Sequence, residues 1–147
     1  MWTNSQTQVY NYGLSAGVTY SSSGYTTNVN ATYSKLRKSA SEDGLEDGFN
    51  TPEWMINISA SKSEILKHTS AGITWRWQTS YYWQSFLVNG NVSAYSTLDA
   101  QVNYTFEQAK CKVKIGGTNL LNKYYYSFLG GPSIGGMYYV TLTYGMK

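Results

Sequence analysis

Residues 97–106 read Thr97-Leu98-Asp99-Ala100-Gln101-Val102-Asn103-Tyr104-Thr105-Phe106. In an extended chain Leu98, Ala100, Val102, Tyr104 and Phe106 share one face, and Thr97, Asp99, Gln101, Asn103 and Thr105 share the other. Successive side chains of a strand point to opposite sides, so this alternation predicts a β-strand with one apolar and one polar face. Six further segments follow the same rule. Their apolar positions are Tyr10 to Tyr20, Thr27 to Tyr33, Trp54 to Ala60, Ala71 to Trp83, Cys111 to Ile115 and Tyr138 to Met146, taking every second residue. Seven strands are predicted, with the fourth running unbroken through Trp83.

Composition narrows what these strands can build. Of 147 residues only 13% are charged, while 16% are aromatic and 15 are Tyr. Ser, Thr and Asn together supply 44 residues. Disorder requires low hydrophobicity with high net charge, and the formal charge here is only +3. No run of about 18 apolar residues is present, which excludes a helical membrane span. Eleven Lys and Arg against 8 Asp and Glu, scattered along the chain, make no nucleic-acid footprint. One cysteine, Cys111, allows neither an internal disulfide nor a cysteine zinc cage.

The connectors alternate between short and long. Residues 21–24, 63–68 and 107–109 are short turns; residues 37–52, 85–95 and 119–136 are long loops. Tight turns at one end and large loops at the other are the pattern of an outer-membrane barrel, and strands of about ten residues suit a tilted crossing. A soluble sandwich also alternates, but it places charges on its wet face. Here that face carries mostly Ser, Thr, Asn, Gln and Gly, and Trp and Tyr bracket the apolar face as an aromatic girdle does. In lipid an unpaired sheet edge is costly, so the sheet must close. Seven is an odd count, and Met1 to Gln6 show neither the basic nor the apolar region of a signal peptide. The expectation is an all-β, antiparallel, up-and-down transmembrane barrel of which residues 1–147 are the C-terminal part, with a plug domain and upstream strands absent. The alternatives are a small self-contained barrel acting as adhesin, pore or membrane hydrolase, and a soluble carbohydrate-binding β-sandwich.

The C-terminal third carries a resemblance. The run Gly116-Gly117-Thr118-Asn119-Leu120-Leu121-Asn122-Lys123-Tyr124-Tyr125, followed by Gly130-Gly131-Pro132 and Gly135-Gly136-Met137-Tyr138-Tyr139-Val140, resembles the last two strands of TonB-dependent outer-membrane receptors, with the flavour of those of the Bacteroidota. Phe49-Asn50-Thr51-Pro52 and Ala94-Tyr95-Ser96-Thr97-Leu98-Asp99 are similar to that family's barrel as well. The resemblance implies the last seven strands of a plugged barrel of the roughly 22-stranded type. It implies residence in the cell outer membrane and uptake of a nutrient bound by external loops and energised by TonB. The implied partners are the remainder of the same receptor, the TonB-ExbB-ExbD system acting through the plug, outer-membrane lipid and a surface lipoprotein lid of the SusD type. It implies no enzyme activity and no cofactor.

Candidate functional residues follow from the faces. Arg76, Asp99, Lys112 and Lys114 lie on the polar face and would meet the lumen or plug, against the plainer reading of ion-paired wall residues. Tyr124, Tyr125, Tyr126 and Phe128 lie in the last long loop and could stack on a ligand or simply pack together, with Ser127 between them. The segment Glu42-Asp43-Gly44-Leu45-Glu46-Asp47 holds half the carboxylates but lacks calcium-loop spacing, and reads as a solvated external loop. His68 has no second histidine for a metal site, and no Ser/His/Asp set, phosphate cradle or metal site emerges.

Overall fold

The computed structural model describes residues 8–38 and 48–145. The acidic segment 42–47 and the terminal stretches 1–7 and 146–147 lie outside the described residues. Among the described residues no helix forms. The strands are β1 (Tyr10–Ser22), β2 (Tyr25–Lys38), β3 (Trp54–Leu66), β4 (Thr69–Gln78), β5 (Tyr81–Trp83), β6 (Gly90–Val92), β7 (Tyr95–Phe106), β8 (Cys111–Thr118) and β9 (Met137–Tyr144).

Seven of them form one antiparallel sheet in the order β1-β2-β3-β4-β7-β8-β9. Each strand therefore pairs with its neighbour along the chain, the up-and-down meander expected from the alternating connectors. β5 and β6 form a separate two-stranded ribbon inserted between β4 and β7. Among the described residues no second sheet packs on the first as a sandwich would require.

Register carries the apolar residues across the whole sheet on one face. One row runs Val18 to Val29 to Ile58 to Trp75 to Leu98. A second runs Ala60 to Ile73 to Ala100, and a third runs Ala71 to Val102 to Ile115 to Val140. A one-residue slip anywhere would turn a strand's apolar set to the other side, so these rows pin the register. Rings mark both margins. Tyr12, Tyr33 and Trp54 meet at the loop end, with centroids 6.1 and 4.7 Å apart. Tyr104 and Phe106 lie edge to face at the turn end, 4.6 Å apart, and Lys62 there sits 4.2 Å from the Tyr25 ring centroid. From Tyr12 to Tyr20 the strand runs about 26 Å at its usual rise, or ~20 Å at a tilt of ~40°, inside the ~25 Å apolar band of such barrels.

Among the described residues Val92, in the small ribbon, is the one buried hydrophobic side chain. Leu14, Val18, Val140 and Leu142 are each about 70% exposed, at 72, 71, 72 and 68%. The sheet thus has no core of its own, and its apolar face is uncovered. The opposite face is tied by polar cross-strand contacts: Ser15 with Thr32 at 3.1 Å, Thr19 with Asn28 at 2.7 Å, Asn57 with Asn30 at 2.9 Å and Asn103 with Ser70 at 3.2 Å.

Two of the three short connections are tighter than the sequence suggested, while the third spans residues 107–110 rather than 107–109. Ser23 and Gly24 both adopt positive φ, 48° and 78°, as a two-residue type I′ hairpin requires. The turn predicted over 63–68 shrinks to Lys67 and His68, because β3 runs on to Leu66. His68, at φ 63°, pairs through Nδ1 with Glu107 Oε1 of the neighbouring turn at 3.1 Å. The fourth strand, by contrast, is shorter than predicted. It stops at Gln78 opposite Tyr95, where β7 begins, so no sheet neighbour remains on that side and residues 81–83 pair with 90–92 instead.

One glycine on the polar face sets the packing of the last hairpin. A Cβ on Gly116 would stand 2.6 Å from Tyr139 Oη and 2.9 Å from the Ala100 carbonyl oxygen. The Tyr139 ring lies across this bare backbone and donates its hydroxyl to Gln101 Oε1 at 3.2 Å. Gly116→Val must lift that ring and crowd the ladder. The expected result is a loss of ~1–3 kcal/mol, the usual cost of overpacking, read as faster amide exchange confined to β7–β9.

Candidate functional site

At the loop end, the polar face meets the described parts of the long loops, residues 48–53, 79–94 and 119–136, in one constellation. Arg76 and Asp99 are diagonal neighbours, since Arg76 pairs with Thr97 and Thr74 with Asp99. Arg76 Nη2 donates to Asp99 Oδ2. The Arg76 side chain is half exposed while that of Asp99 is 11% exposed. The other carboxylate oxygen, Oδ1, accepts the backbone N–H of Asn119 at 2.9 Å. A single carboxylate thus joins the wall to the first residue of the last loop.

Asn119 then organises the loop base. It holds φ at 48°, a region tolerated by asparagine better than by most residues. Its Nδ2 donates to the Lys123 carbonyl at 2.9 Å, and its own carbonyl accepts from Asn122 N at 2.8 Å. Asn122 Oδ1 reaches across to Gly136 N at 2.8 Å and closes the two arms of the loop. Leu120 N donates to the Leu98 carbonyl at 2.7 Å. The loop is not featureless above this base: Tyr125 and Ile134 form an antiparallel bridge.

The loops are also tied to one another. Tyr81 of the ribbon donates its hydroxyl to the Ser127 carbonyl at 2.6 Å. Burial pushes the Tyr81 phenol above its ordinary range. The neutral donor is therefore retained to higher pH than usual, and the tie is lost only as pH climbs through that raised value. Trp83 and Phe128 pack at 5.5 Å, and Tyr95 and Tyr125 stack at 4.0 Å with an interplanar angle of 24°. Asn50, before β3, mimics a strand partner for Gln84: its Oδ1 accepts Gln84 N at 2.6 Å and its Nδ2 donates to Gln84 O at 2.8 Å. Residues 48–53, 79–94 and 119–136 form one canopy.

The four loop aromatics singled out from sequence thus divide. Tyr125 and Phe128 pack on other rings, Phe128 with 40% of its surface still exposed, whereas Tyr124 and Tyr126 stand 71 and 51% exposed. Tyr125→Ala and Phe128→Ala are expected to raise proteolytic nicking within residues 119–136 about two- to tenfold, the weight of one aromatic pair. Tyr124→Ala should leave the nicking rate unchanged.

Two clefts flank Arg76 on the polar face. One of about 410 Å³ includes Ser59, Ser61, Thr74, Asp99, Gln101 and Tyr139. The other, of about 230 Å³, includes Asn57, Gln78, Tyr95, Thr97 and Tyr125. Arg76 lines both. Lys112 and Lys114 also lie on this face but nearer the turn end, opposite Thr143 and Thr141, so they do not join the constellation. Among the described residues no three His, Cys, Asp or Glu side chains gather as a metal site would require. Cys111 lies on the apolar face between Phe106 and Tyr144.

Sequence reading missed Asn119, Asn50, Tyr81 and Tyr95. A usable signal existed for the asparagines, which are the side chains most often found at positive φ outside glycine.

No family model and no curated protein matches the chain. Solved structures do. FpvA of Pseudomonas aeruginosa, solved in complex with a heterologous pyoverdine and iron, shares 17% identity at a TM-score of 0.70, over 91% of this chain and 19% of that one. The FrpB iron transporter of Neisseria meningitidis shares 18% at 0.72, over 92% and 24%. A mutant of the ferric enterobactin receptor PfeA of Pseudomonas aeruginosa shares 17% at 0.66, over 88% and 21%. The chain therefore spans about a quarter or less of the structures it matches. At these identities the likeness is one of fold: the antiparallel seven-stranded sheet matches part of each of these structures.

Proposed function

We propose that this chain supplies wall and external loops to a TonB-dependent receptor of the outer membrane, which takes up a nutrient captured by its loops. One observation carries the reading: an apolar face continuous across seven strands, with no layer of the described residues upon it. Soluble proteins rarely leave such a patch bare. Hydrocarbon covers it at no cost, and the hydroxyl-and-amide face then encloses water. The remaining barrel strands would pair with the open edges β1 and β9, and the plug would occupy the polar side.

On this reading the tight turns face the periplasm and the canopy faces outward. Arg76, Asp99, Lys112 and Lys114 line the lumen, and Tyr124 and Tyr126 offer exposed rings to a ligand. The work is binding and gated passage rather than chemistry. Energy would reach the receptor from TonB-ExbB-ExbD through the plug. A Bacteroidota-type relative with a SusD-type lipoprotein lid is the finer form of the proposal, supported by the Asn119-Leu120-Leu121-Asn122 and Gly130-Gly131-Pro132 signatures.

The test is depth quenching. With Cys111 replaced by Ser, single cysteines at Val18, Val140 and Leu142 carry a fluorophore in reconstituted bilayers containing nitroxide lipids. Strong quenching there, and weak quenching at Thr19, Ser59 and Thr141, is the expected result. Equal quenching on the two faces refutes the proposal.

A further inference from the structure

We infer that Arg76 and Asp99 are a positioning pair through which a carboxylate entering the lumen loosens the external canopy. The inference rests on the reading that the polar face is a lumen. Three observations carry it. Asp99 is buried and divides its two oxygens between Arg76 and the Asn119 backbone. Arg76 is half exposed and borders both lumenal clefts, so an incoming anion can reach it. Asn119 is the first residue of a loop tied at Ser127 to Tyr81 of the ribbon, and Gln84 beside the ribbon is tied to Asn50.

Two states follow. In the first, Arg76 neutralises Asp99, and the carboxylate holds the loop base. In the second, Arg76 turns to a carboxylate in the cleft beside Asn57, Thr97 and Tyr95. Asp99 is then a buried charge with one backbone donor, an arrangement that is strongly disfavoured. Opening of the loop base at Asn119 admits water and relieves it. The incoming group binds the second state better, and that differential affinity is what shifts the equilibrium. The carboxylate can belong to a free solute or to a protein segment held in the lumen.

The experiment installs that carboxylate from within. Asn57 stands opposite Arg76 in the β3–β4 register; Asn57→Asp keeps the side chain's shape, adds a charge and gives up the Nδ2 donor to Asn30 Oδ1, whose amide can turn to donate to the new carboxylate instead. Amide exchange is followed by mass spectrometry on the intact protein in lipid. Asn57→Asp and Arg76→Gln are each expected to speed exchange in residues 119–136 about tenfold, the weight of one charge-assisted hydrogen bond, with β4 and β7 unchanged. Arg76→Lys should restore most of the protection. In an Asp99→Asn background, Asn57→Asp should add nothing.

Three results overturn the inference: loops that stay protected in Arg76→Gln, an undiminished effect of Asn57→Asp without Asp99, or equal loss of protection in β4 and β7. A succinate titration of the unsubstituted protein assigns the source. Loosening by succinate supports the pair and points to free carboxylates. With Asn57→Asp active, inertness to succinate supports the pair and points to a carboxylate delivered by protein. Exchange needs no transport, and depth quenching tests the membrane reading separately, so failure of the pair is distinguishable from failure of the reading it rests on.

Discussion

Val140→Arg is expected to destabilise the bilayer-inserted protein by ~2–4 kcal/mol, the cost of a cation on the lipid face near the midplane of a barrel. Val140 pairs with Ile115 and lies between the rings of Tyr138 and Tyr144 on its own strand, 72% exposed with no protein over it. Arginine there must either sit in hydrocarbon or drag water and headgroups inward. Thr141→Arg, one residue along, faces the polar side opposite Lys114 and should cost under ~1 kcal/mol. Denaturant titration of the two variants refolded into bilayers measures the difference. Similar costs for both would mean that the two faces meet the same medium, contrary to the assignment. A sandwich-like burial of the apolar face would instead make Val140→Ala severe, by leaving a cavity.

Asp99→Ala is the second large effect. Removing the carboxylate takes the partner from Arg76 and the acceptor from the Asn119 amide in one step. Breaking a fully buried pair costs ~3–5 kcal/mol. Arg76 is half exposed and can find water, so ~2 kcal/mol is expected here. The loss should fall on the canopy rather than the sheet, because the ladder of β4 with β7 does not depend on this side chain. Limited proteolysis should therefore release fragments ending within residues 119–136 while the strands stay resistant. Asp99→Asn should be milder, since its amide oxygen can still accept from Asn119. A uniform drop in strand stability would show that Asp99 merely fills the wall.

Much of the architecture was legible from alternation alone. The apolar sets read from Val18, Val29, Ile58, Trp75 and Leu98 align in one row, because a period of two assigns each side chain to a face before any partner is known. The turn and loop ends followed from connector length. The overrun of the fourth strand shows the limit of that reasoning. Tyr81 and Trp83 keep the alternation, yet a strand lasts only as long as a neighbour offers hydrogen bonds, and β7 begins opposite Gln78. The loop aromatics show a second limit. Sequence named Tyr124, Tyr125, Tyr126 and Phe128 alike, and only the placement of Tyr95 and Trp83 divided them into packed and exposed rings.

The amino-acid order by itself determined which side of each strand is apolar and at which end of the sheet the chain turns tightly. These are local properties, written in side-chain polarity at a spacing of two. The tertiary structure alone decided that Arg76 meets Asp99 across 23 positions of sequence, that Asp99 holds Asn119, and that Asn50 clamps Gln84. Those contacts depend on register and loop path, which are set jointly by several strands, so no single segment encodes them.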